Sequence, residues 1–445
     1  MNTHVFAERI RAAPLVRRTG RVRKILPSYV EADGPAAPLG ALCVLEARRA
    51  DGARCDDGIL AEVVRIDREA VILAPFDSGS LTFSGARVVA RDEADTAPVG
   101  DGFMGRAVDA LGRPMDKGPP VRAAAHAGLR GGATQPLDRT TPKRPLQTGV
   151  RAIDGLLTLG EGQRVGVFAP AGVGKTSLMA QLARQVGADR CVICLIGERG
   201  REVEALWRKG LPEEVKARTA LVAATSDQTA AMRVRASAFA LALAEHWRAE
   251  GLHVLLLVDS VTRLAMAMRE IGLAAGEPPT VRAYTPSVFA AMPRLVERCG
   301  ALASGGSITA VMTVLAESTE VDDPISEMMK SILDGHLLLS RDLAEQGHFP
   351  AIDVPRSVSR LASHLADDGH LAAARQASAL LSTYESSRTL IEAGVYVRGS
   401  NPEIDQALEQ RPGLLGFLRQ GGEESVGFED TVRRLRDLVG RRVAA

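Results

Sequence analysis

The sequence predicts an α/β protein: a mostly parallel sheet carrying a phosphate-binding loop, preceded by a small β-barrel and followed by a helical C-terminal region. Three observations carry this. Val165 to Ala169 is an apolar run leading into a glycine-rich loop, and from Lys175 onward Leu178, Leu182 and Val186 recur at helical spacing. Downstream, wholly apolar runs alternate with helix-patterned stretches, as in a sheet whose strands run parallel. Upstream, from about Gly20 to Arg91, short apolar alternations are broken by Gly, Asp and Pro, the pattern of a small barrel.

At 445 residues the chain is long for one domain. The expected divisions are 1–92 for the barrel, an oligomerisation domain, 93–365 for the nucleotide-binding sheet and 366–445 for the helices. Aromatic residues make up only 4 %, so the cores must be built from Leu, Val, Ile and Ala. The formal net charge of +1 argues against a general nucleic-acid binder. No apolar run approaches the roughly 20 residues that span a bilayer. The N-terminal arginines have no long apolar region behind them, so no secretory signal is expected. Five irregularly spaced cysteines fit a reducing compartment. Cys191 and Cys194 form a C-x-x-C with no second pair at zinc spacing. In a strand their spacing points them to opposite faces, so buried packing is the expectation.

Residues 1–27 are basic, with Arg9, Arg11, Arg17, Arg18, Arg21, Arg23 and Lys24 against Glu8. The simpler reading is a solvated leader entering the first strand. The sharper one is a docking segment for an acidic membrane surface or partner. Gly20 to Leu26, Leu42 to Ala47, Ile59 to Ile66 and Ala70 to Ala74 are strand-like. Asp95 to Pro98 is expected to be a linker, and Gly105 to Asp116 a strand with a tight turn.

The loop Ala169-Pro-Ala-Gly-Val-Gly-Lys-Thr differs from the strict phosphate-binding pattern at Ala169, where that pattern has Gly. Its glycines let backbone N–H groups converge on one point. Ala171, Gly172, Val173, Gly174, Lys175, Thr176 and Ser177 are the candidate polyphosphate contacts. Lys175 would reach the terminal phosphates and the Thr176 hydroxyl would hold Mg²⁺. Cys191 to Ile196 is a buried strand ending at Glu198. That carboxylate could orient or deprotonate an attacking water, or form a surface salt bridge with Arg199 or Arg201, and spacing alone does not choose. Ser226-Asp227 is expected to cap a helix carrying Met232, Ala236, Phe239, Leu243 and Trp247 on one stripe. His253 to Val258 is a wholly apolar strand ending at Asp259. A carboxylate there is placed to hold the water shell of Mg²⁺, and capping the next helix is its alternative role. Further strands are expected at Ser307 to Leu315 and His336 to Ser340, with a Pro-rich loop from Gly276 to Pro286. The stretch from Glu429 to Gly440 puts Val432, Leu435 and Leu438 on one side of a helix. No internal repeat is present.

Over residues 95–405 the chain resembles the ATPases of type III protein secretion, close kin of the flagellar export ATPase and the catalytic subunits of rotary ATP synthase. The resemblance rests on Gly149-Val-Arg-Ala-Ile-Asp-Gly-Leu-Leu-Thr, Gly162-Gln-Arg, the phosphate loop, Gly197-Glu-Arg-Gly-Arg-Glu and Ala224-Thr-Ser-Asp. It continues through Asp259-Ser-Val-Thr-Arg, Arg269-Glu-Ile-Gly-Leu-Ala, Gly276-Glu-Pro-Pro, Ser331-Ile-Leu-Asp-Gly-His, Phe349-Pro-Ala-Ile-Asp-Val and Ser357-Val-Ser-Arg. Ala169 is a residue this family tolerates. The resemblance implies a RecA-like core and a six-membered homo-oligomeric ring with ATP and Mg²⁺ at subunit interfaces. By position it makes Lys175 and Thr176 the phosphate and metal residues, Glu198 the catalytic carboxylate and Asp259 the second metal-side carboxylate. It makes Arg360 an arginine finger offered to the neighbouring subunit and Phe349 the aromatic against adenine. Spacing alone finds neither of the last two.

The implied partners are a central stalk, peripheral stator proteins, an export gate and chaperone–effector complexes, with no nucleic acid. The implied location is cytoplasmic, peripheral at the inner-membrane secretion apparatus. The family usually has Gly-Tyr-Pro-Pro where this chain has Ala283-Tyr-Thr-Pro, and Met328-Met329 stand where relatives are often more polar. A non-catalytic ring subunit is disfavoured by Glu198 beside an intact Lys175-Thr176. An RNA translocase is disfavoured by the scarcity of aromatics, and a GTPase by the missing Asn-Lys pair. Asp259 to Gly276 and Gly149 to Gln163 look more like the injectisome branch than the flagellar one, which stays the alternative.

Overall fold

A computed structural model describes residues 17–48, 54–77, 82–91, 95–132, 134–316 and 323–440. The basic residues Arg9 and Arg11, with Glu8, lie outside the described residues. Arg17, Arg21, Arg23 and Lys24 are exposed, the last three on the first strand of the barrel.

That barrel is closed. Its strands run in the order Thr19–Ile25, Val30–Ala32, Val71–Pro75, Arg54–Ile66, Leu42–Arg48 and Arg87–Ala90, which returns to the first. Every pairing is antiparallel. The period of two sends Val22, Cys43, Leu45, Ala61, Val63, Leu73 and Val88 inward to one small core. Closure leaves no open edge for another chain to pair with.

Asp95 to Pro98 is not a linker. Thr96–Val99 is a strand paired antiparallel with Ala125–Gly128, and Asp95 is bound to the buried Arg235 at 2.6 Å. The Gly/Pro/Asp-rich composition concealed a short ribbon whose partner lies beyond a long excursion. Arg106–Val108 is the expected strand near Gly105, and it joins the main sheet.

The main sheet runs Val358–Ser359, Gly335–Leu338, Arg164–Ala169, Ser307–Leu315, His253–Asp259, Arg190–Ile196, Thr219–Ala224, Arg106–Val108. All neighbours on this path are parallel except the edge strand Val358–Ser359. Its strands are apolar throughout because both faces are covered. One face sends Val165, Val167, Cys191, Ile193, Leu255 and Leu257 into a core shared with the helix Lys175–Gln185 and the C-terminal helices. The other sends Phe168, Val192, Cys194, Ile196, Leu256 and Met312 into a core with the helices Ala230–Ala249, Val261–Ala274 and Pro286–Glu297. The two cysteines therefore do lie in opposite cores, and burial pushes the Cys191 thiol up to about 12. Met329 is fully buried in the second core, which accounts for an apolar residue at that position.

The helix Ala230–Ala249 is capped by Thr229, whose hydroxyl accepts from the Met232 N–H, and not by Ser226-Asp227, which stand further upstream. Its stripe residues Met232, Ala236, Phe239, Leu243 and Trp247 are all buried, and the Trp247 indole N–H donates to Asp101 at 2.9 Å. The C-terminal region consists of helices Asp368–Glu392, Pro402–Leu418 and Phe428–Gly440, packed against the short helix Arg151–Leu156. Among the described residues no helix is long and apolar enough to cross a membrane.

Candidate active site

Parallel strands deliver their C-terminal ends to one side of the sheet, and three adjacent ends build the site. Arg164–Ala169 leads into the phosphate loop. Ala169 is fully buried, with its carbonyl accepting from the Ala316 N–H, so a residue with a Cβ is accommodated there as a strand end. Gly172 and Gly174 have φ of 82° and 93°, left-handed values that only glycine adopts without strain. Val173 between them is buried and anchors the loop, while Ala171, Gly172, Thr176 and Ser177 are exposed. Lys175 and Thr176 open a helix through Gln185 with no side-chain cap, leaving its first N–H groups directed at the loop's concavity.

The second strand end, after Arg190–Ile196, supplies Glu198 and the third supplies Asp259; they are 7 % and 3 % exposed. Lys175 Nζ is ion-paired to Asp259 Oδ1 and lies 3.6 Å from Glu198 Oε1. The Thr313 hydroxyl donates to the same Asp259 oxygen at 2.7 Å, from the central strand Ser307–Leu315. Asp259 does not cap the following helix; Ser260 does, accepting from the Arg263 N–H.

Glu198 is not a surface residue paired with Arg199 or Arg201. Its cationic neighbours are Lys175 and Arg263, the latter at 3.3 Å. Arg263 also donates to the Gly197 carbonyl at 2.7 Å, so one guanidinium is tied to the turn and places its charge beside the carboxylate at its end. Burial, the hydrogen bond shared with Glu202 and the charge of Asp259 push the Glu198 carboxyl up to about 7, outweighing Lys175 and Arg263. Sharing that hydrogen bond lowers the carboxyl of Glu202. Sequence reasoning missed Arg263, Thr313 and Glu202. Arg263 was findable as a cation in the first turn after a strand-end carboxylate. Thr313 was not, because only the sheet register brings it to Asp259.

Phe349 is 45 % exposed, with its ring 3.5 Å from where a Cβ on Gly174 would stand, so it flanks the phosphate loop. Arg360 does not join the cluster. Its N–H donates to the Asp334 carbonyl, while the Asp334 side chain binds Arg164 at the start of the phosphate-loop strand. Arg360 is therefore exposed at the opposite end of the sheet.

Residues 149–359 match the family model described as the ATP synthase alpha/beta family, nucleotide-binding domain, and residues 366–437 match the T3SS EscN ATPase C-terminal domain. The flagellum-specific ATP synthase of Bacillus subtilis is 42 % identical over 440 residues, covering 99 % of both chains. The chain belongs to the family of type III secretion and flagellum-specific ATPases. The type 3 secretion system ATPase of Xanthomonas euvesicatoria is 42 % identical over 95 % of this chain and 94 % of its own. The assembled ATPase EscN of the enteropathogenic E. coli type III secretion system superposes with a TM-score of 0.87 at 40 % identity, over 94 % of this chain and all of that one. EscN in complex with its central stalk EscO matches with a TM-score of 0.84 at 38 % identity and the same coverage. The RecA-like core, the barrel and the helical C-terminal region are those of this family, and the chain is an ATP-hydrolysing enzyme.

Proposed function

We propose that this ATPase hydrolyses ATP with Mg²⁺ to energise type III protein secretion, releasing and unfolding chaperone-bound effectors at the export gate. The observation that carries the site assignment is the Lys175 ammonium lying on Asp259 with Glu198 3.6 Å away, at the mouth of the phosphate loop. In this reading Ala171 to Ser177 bind the polyphosphate, Lys175 turns from Asp259 to the terminal phosphates and Phe349 lies against adenine. A divalent cation fits the donors present, the exposed Thr176 hydroxyl and the Asp259 carboxylate, while the buried Glu198 Oε1, with no hydrogen-bond partner, is left open for the attacking water. When bound, the cation neutralises charge on the β- and γ-phosphoryl oxygens. Glu198 orients the attacking water and accepts its proton at Oε1, and Arg263 holds that carboxylate in place. Arg360 is offered to the ATP of the neighbouring subunit.

The chain works as a homohexameric ring, a reading supported by the assembled state of EscN, and its central-stalk partner is supported by the EscN–EscO complex; a peripheral stator is its further partner. It works in the cytoplasm, peripheral at the inner-membrane apparatus. The chain divides at about 92 and 365 into an oligomerising barrel, the ATP-binding domain and the helical domain. The flagellar branch is the second reading, favoured by the 42 % identity to a flagellum-specific relative, equal to that of the secretion ATPase.

Lys175→Ala is expected to lose both nucleotide affinity and turnover. Glu198→Ala is expected to keep affinity and lose turnover by about 10² or more, because water positioning acts in the transition state. Steady-state hydrolysis paired with equilibrium nucleotide binding measures both. Wild-type turnover in Glu198→Ala would remove the catalytic assignment.

A further inference from the structure

One short segment, Phe417 to Glu424, which joins the helix Pro402–Leu418 to the helix Phe428–Gly440, is held by three separate parts of the nucleotide-binding domain. The first is the turn before the helix Arg151–Leu156. Arg151 is 6 % exposed; its Nε donates to the Phe417 carbonyl at 2.6 Å, and its two terminal nitrogens reach Glu424 and the Arg419 carbonyl. The second is the far end of the helix opened by Lys175, where Arg184 donates to the Gly422 carbonyl and Gln185 to the Glu424 carbonyl, at 2.9 and 2.8 Å. The third is Phe349, whose carbonyl accepts from the Gln420 N–H at 2.8 Å.

Gln420 is where these meet. It is 5 % exposed and its side chain is fully used: Oε1 accepts from the Arg151 N–H at 2.9 Å, and Nε2 donates to the carbonyls of Gly149 and Glu424 at 2.6 and 2.7 Å. Two carbonyls on one end and an N–H on the other allow a single orientation of the amide. The side chain thus fixes the backbone of residue 420 against the core, and that backbone fixes Phe349. The residues on either side are anchored elsewhere, His348 through its N–H to the Leu343 carbonyl and Ala351 through its carbonyl to the Ser340 N–H. The Phe349 carbonyl is bound by Gln420, and its ring stands 45 % exposed beside Gly174.

We propose that Gln420 is a positioning residue for base recognition: its N–H on the Phe349 carbonyl couples the segment 417–424 to the ring against which adenine lies. The inference rests on the reading of Phe349 as the adenine platform. Coupling of this kind is reciprocal: nucleotide bound against Phe349 must restrain the segment 417–424. Among the described residues the hydrogen bonds of Gln420 go to Arg151, Gly149, Glu424 and Phe349 and not to the phosphate loop, so affinity for the polyphosphate end should not depend on it.

The test measures binding of Mg-ADP and of Mg-pyrophosphate by calorimetry to wild type, Gln420→Ala, Phe349→Ala and the double variant. Gln420→Ala is expected to weaken ADP roughly three- to tenfold, the effect of losing a buried hydrogen-bonded clamp, and to leave pyrophosphate unchanged. KM for ATP should rise by the same factor with kcat held within about twofold. The double variant should bind ADP no more weakly than Phe349→Ala alone, since both act through one ring. If Phe349→Ala weakens ADP selectively but Gln420→Ala changes nothing, or weakens both ligands alike, the positioning role is overturned. If Phe349→Ala itself leaves ADP unchanged, the adenine reading falls and takes this inference with it. Should Gln420→Ala fold poorly, hydrogen exchange on the wild-type protein decides: ADP, and not pyrophosphate, must slow exchange in the peptide spanning 417–424. Equal slowing by both, or by neither, overturns the proposal.

Discussion

At the scale of single residues, Glu198 is where stability and chemistry oppose each other. A carboxyl 7 % exposed and held up to about 7 is a poor surface for folding but a useful base near neutral pH. Its folded value lies above the ordinary 4.5, so the native state binds this proton more tightly than the unfolded chain does. The contribution is therefore fully present below pH 4.5 and is lost as pH rises to about 7. Glu198→Gln keeps the shape and removes the ionisation. In protein freed of nucleotide it should gain stability on the order of 2 kcal/mol at pH 8, with the gain vanishing toward pH 4.5. Thermal unfolding across that range measures it, and a gain of equal size at both ends would mean that ionisation is not the cause. Asp154, pushed up to about 7 by burial, will leave its own slope in the same window. The sequence placed Glu198 and Asp259 at strand ends because apolar runs stop there. It did not reveal which cations would face them. Arg199 and Arg201 were nearest along the chain, yet both point to solvent, and Arg263 from another strand–helix turn took the position.

At the scale of elements, legibility followed the range of the interactions. The phosphate loop, the apolar strands and the long amphipathic helices were readable because their signals are local periodicities. The strand Thr96–Val99 was not, since its partner Ala125–Gly128 sits across a Pro- and Gly-rich excursion that mimics a linker. The loop from Gly276 to Tyr284 shows what a family departure does to an element. Arg282 and Ala283 have φ of 52° and 60°, a left-handed conformation unfavourable for both side chains. Thr280 holds them there through both its N–H and its hydroxyl, at 2.7 and 2.6 Å from the Tyr284 carbonyl, and Arg269 stacks over the Tyr284 ring. Glycine, the family's usual residue at 283, adopts this geometry without the Cβ clash. Ala283→Gly is therefore expected to raise stability by about 0.5–1 kcal/mol, after the added freedom of the unfolded chain is offset. Chemical denaturation of the two proteins side by side measures this, and a loss of stability in the glycine variant would show that the loop is not strained at 283.

At the scale of the whole molecule, the sheet separates Arg360 from the phosphate loop of its own chain. Arg360 follows the edge strand Val358–Ser359, whose residues pair with Gly335 and His336 near the N-terminal end of the parallel strands. The phosphate loop leaves from the other end of Arg164–Ala169, roughly 16 Å away at about 3.3 Å per residue. Arg360 donates to the Lys330 carbonyl at 3.0 Å, away from that loop. An arginine finger at this position has to serve another subunit, and in a head-to-tail ring one face of each subunit meets the next one's nucleotide. Its planar, permanent charge suits a transition state with charge spread over the γ-phosphoryl oxygens, where such fingers are worth about 10³ to 10⁵ in rate. Specific activity should therefore rise with protein concentration as rings form. The sharper measurement mixes Arg360→Ala with Glu198→Ala subunits. Each alone should be nearly inactive, because every interface lacks one of the two groups. In mixed rings, an intact Glu198 in one subunit meets an intact Arg360 from its neighbour at some interfaces, and part of the turnover should return. If mass measurements establish mixed rings and the rate stays at that of either parent, Arg360 does not complete the neighbour's site.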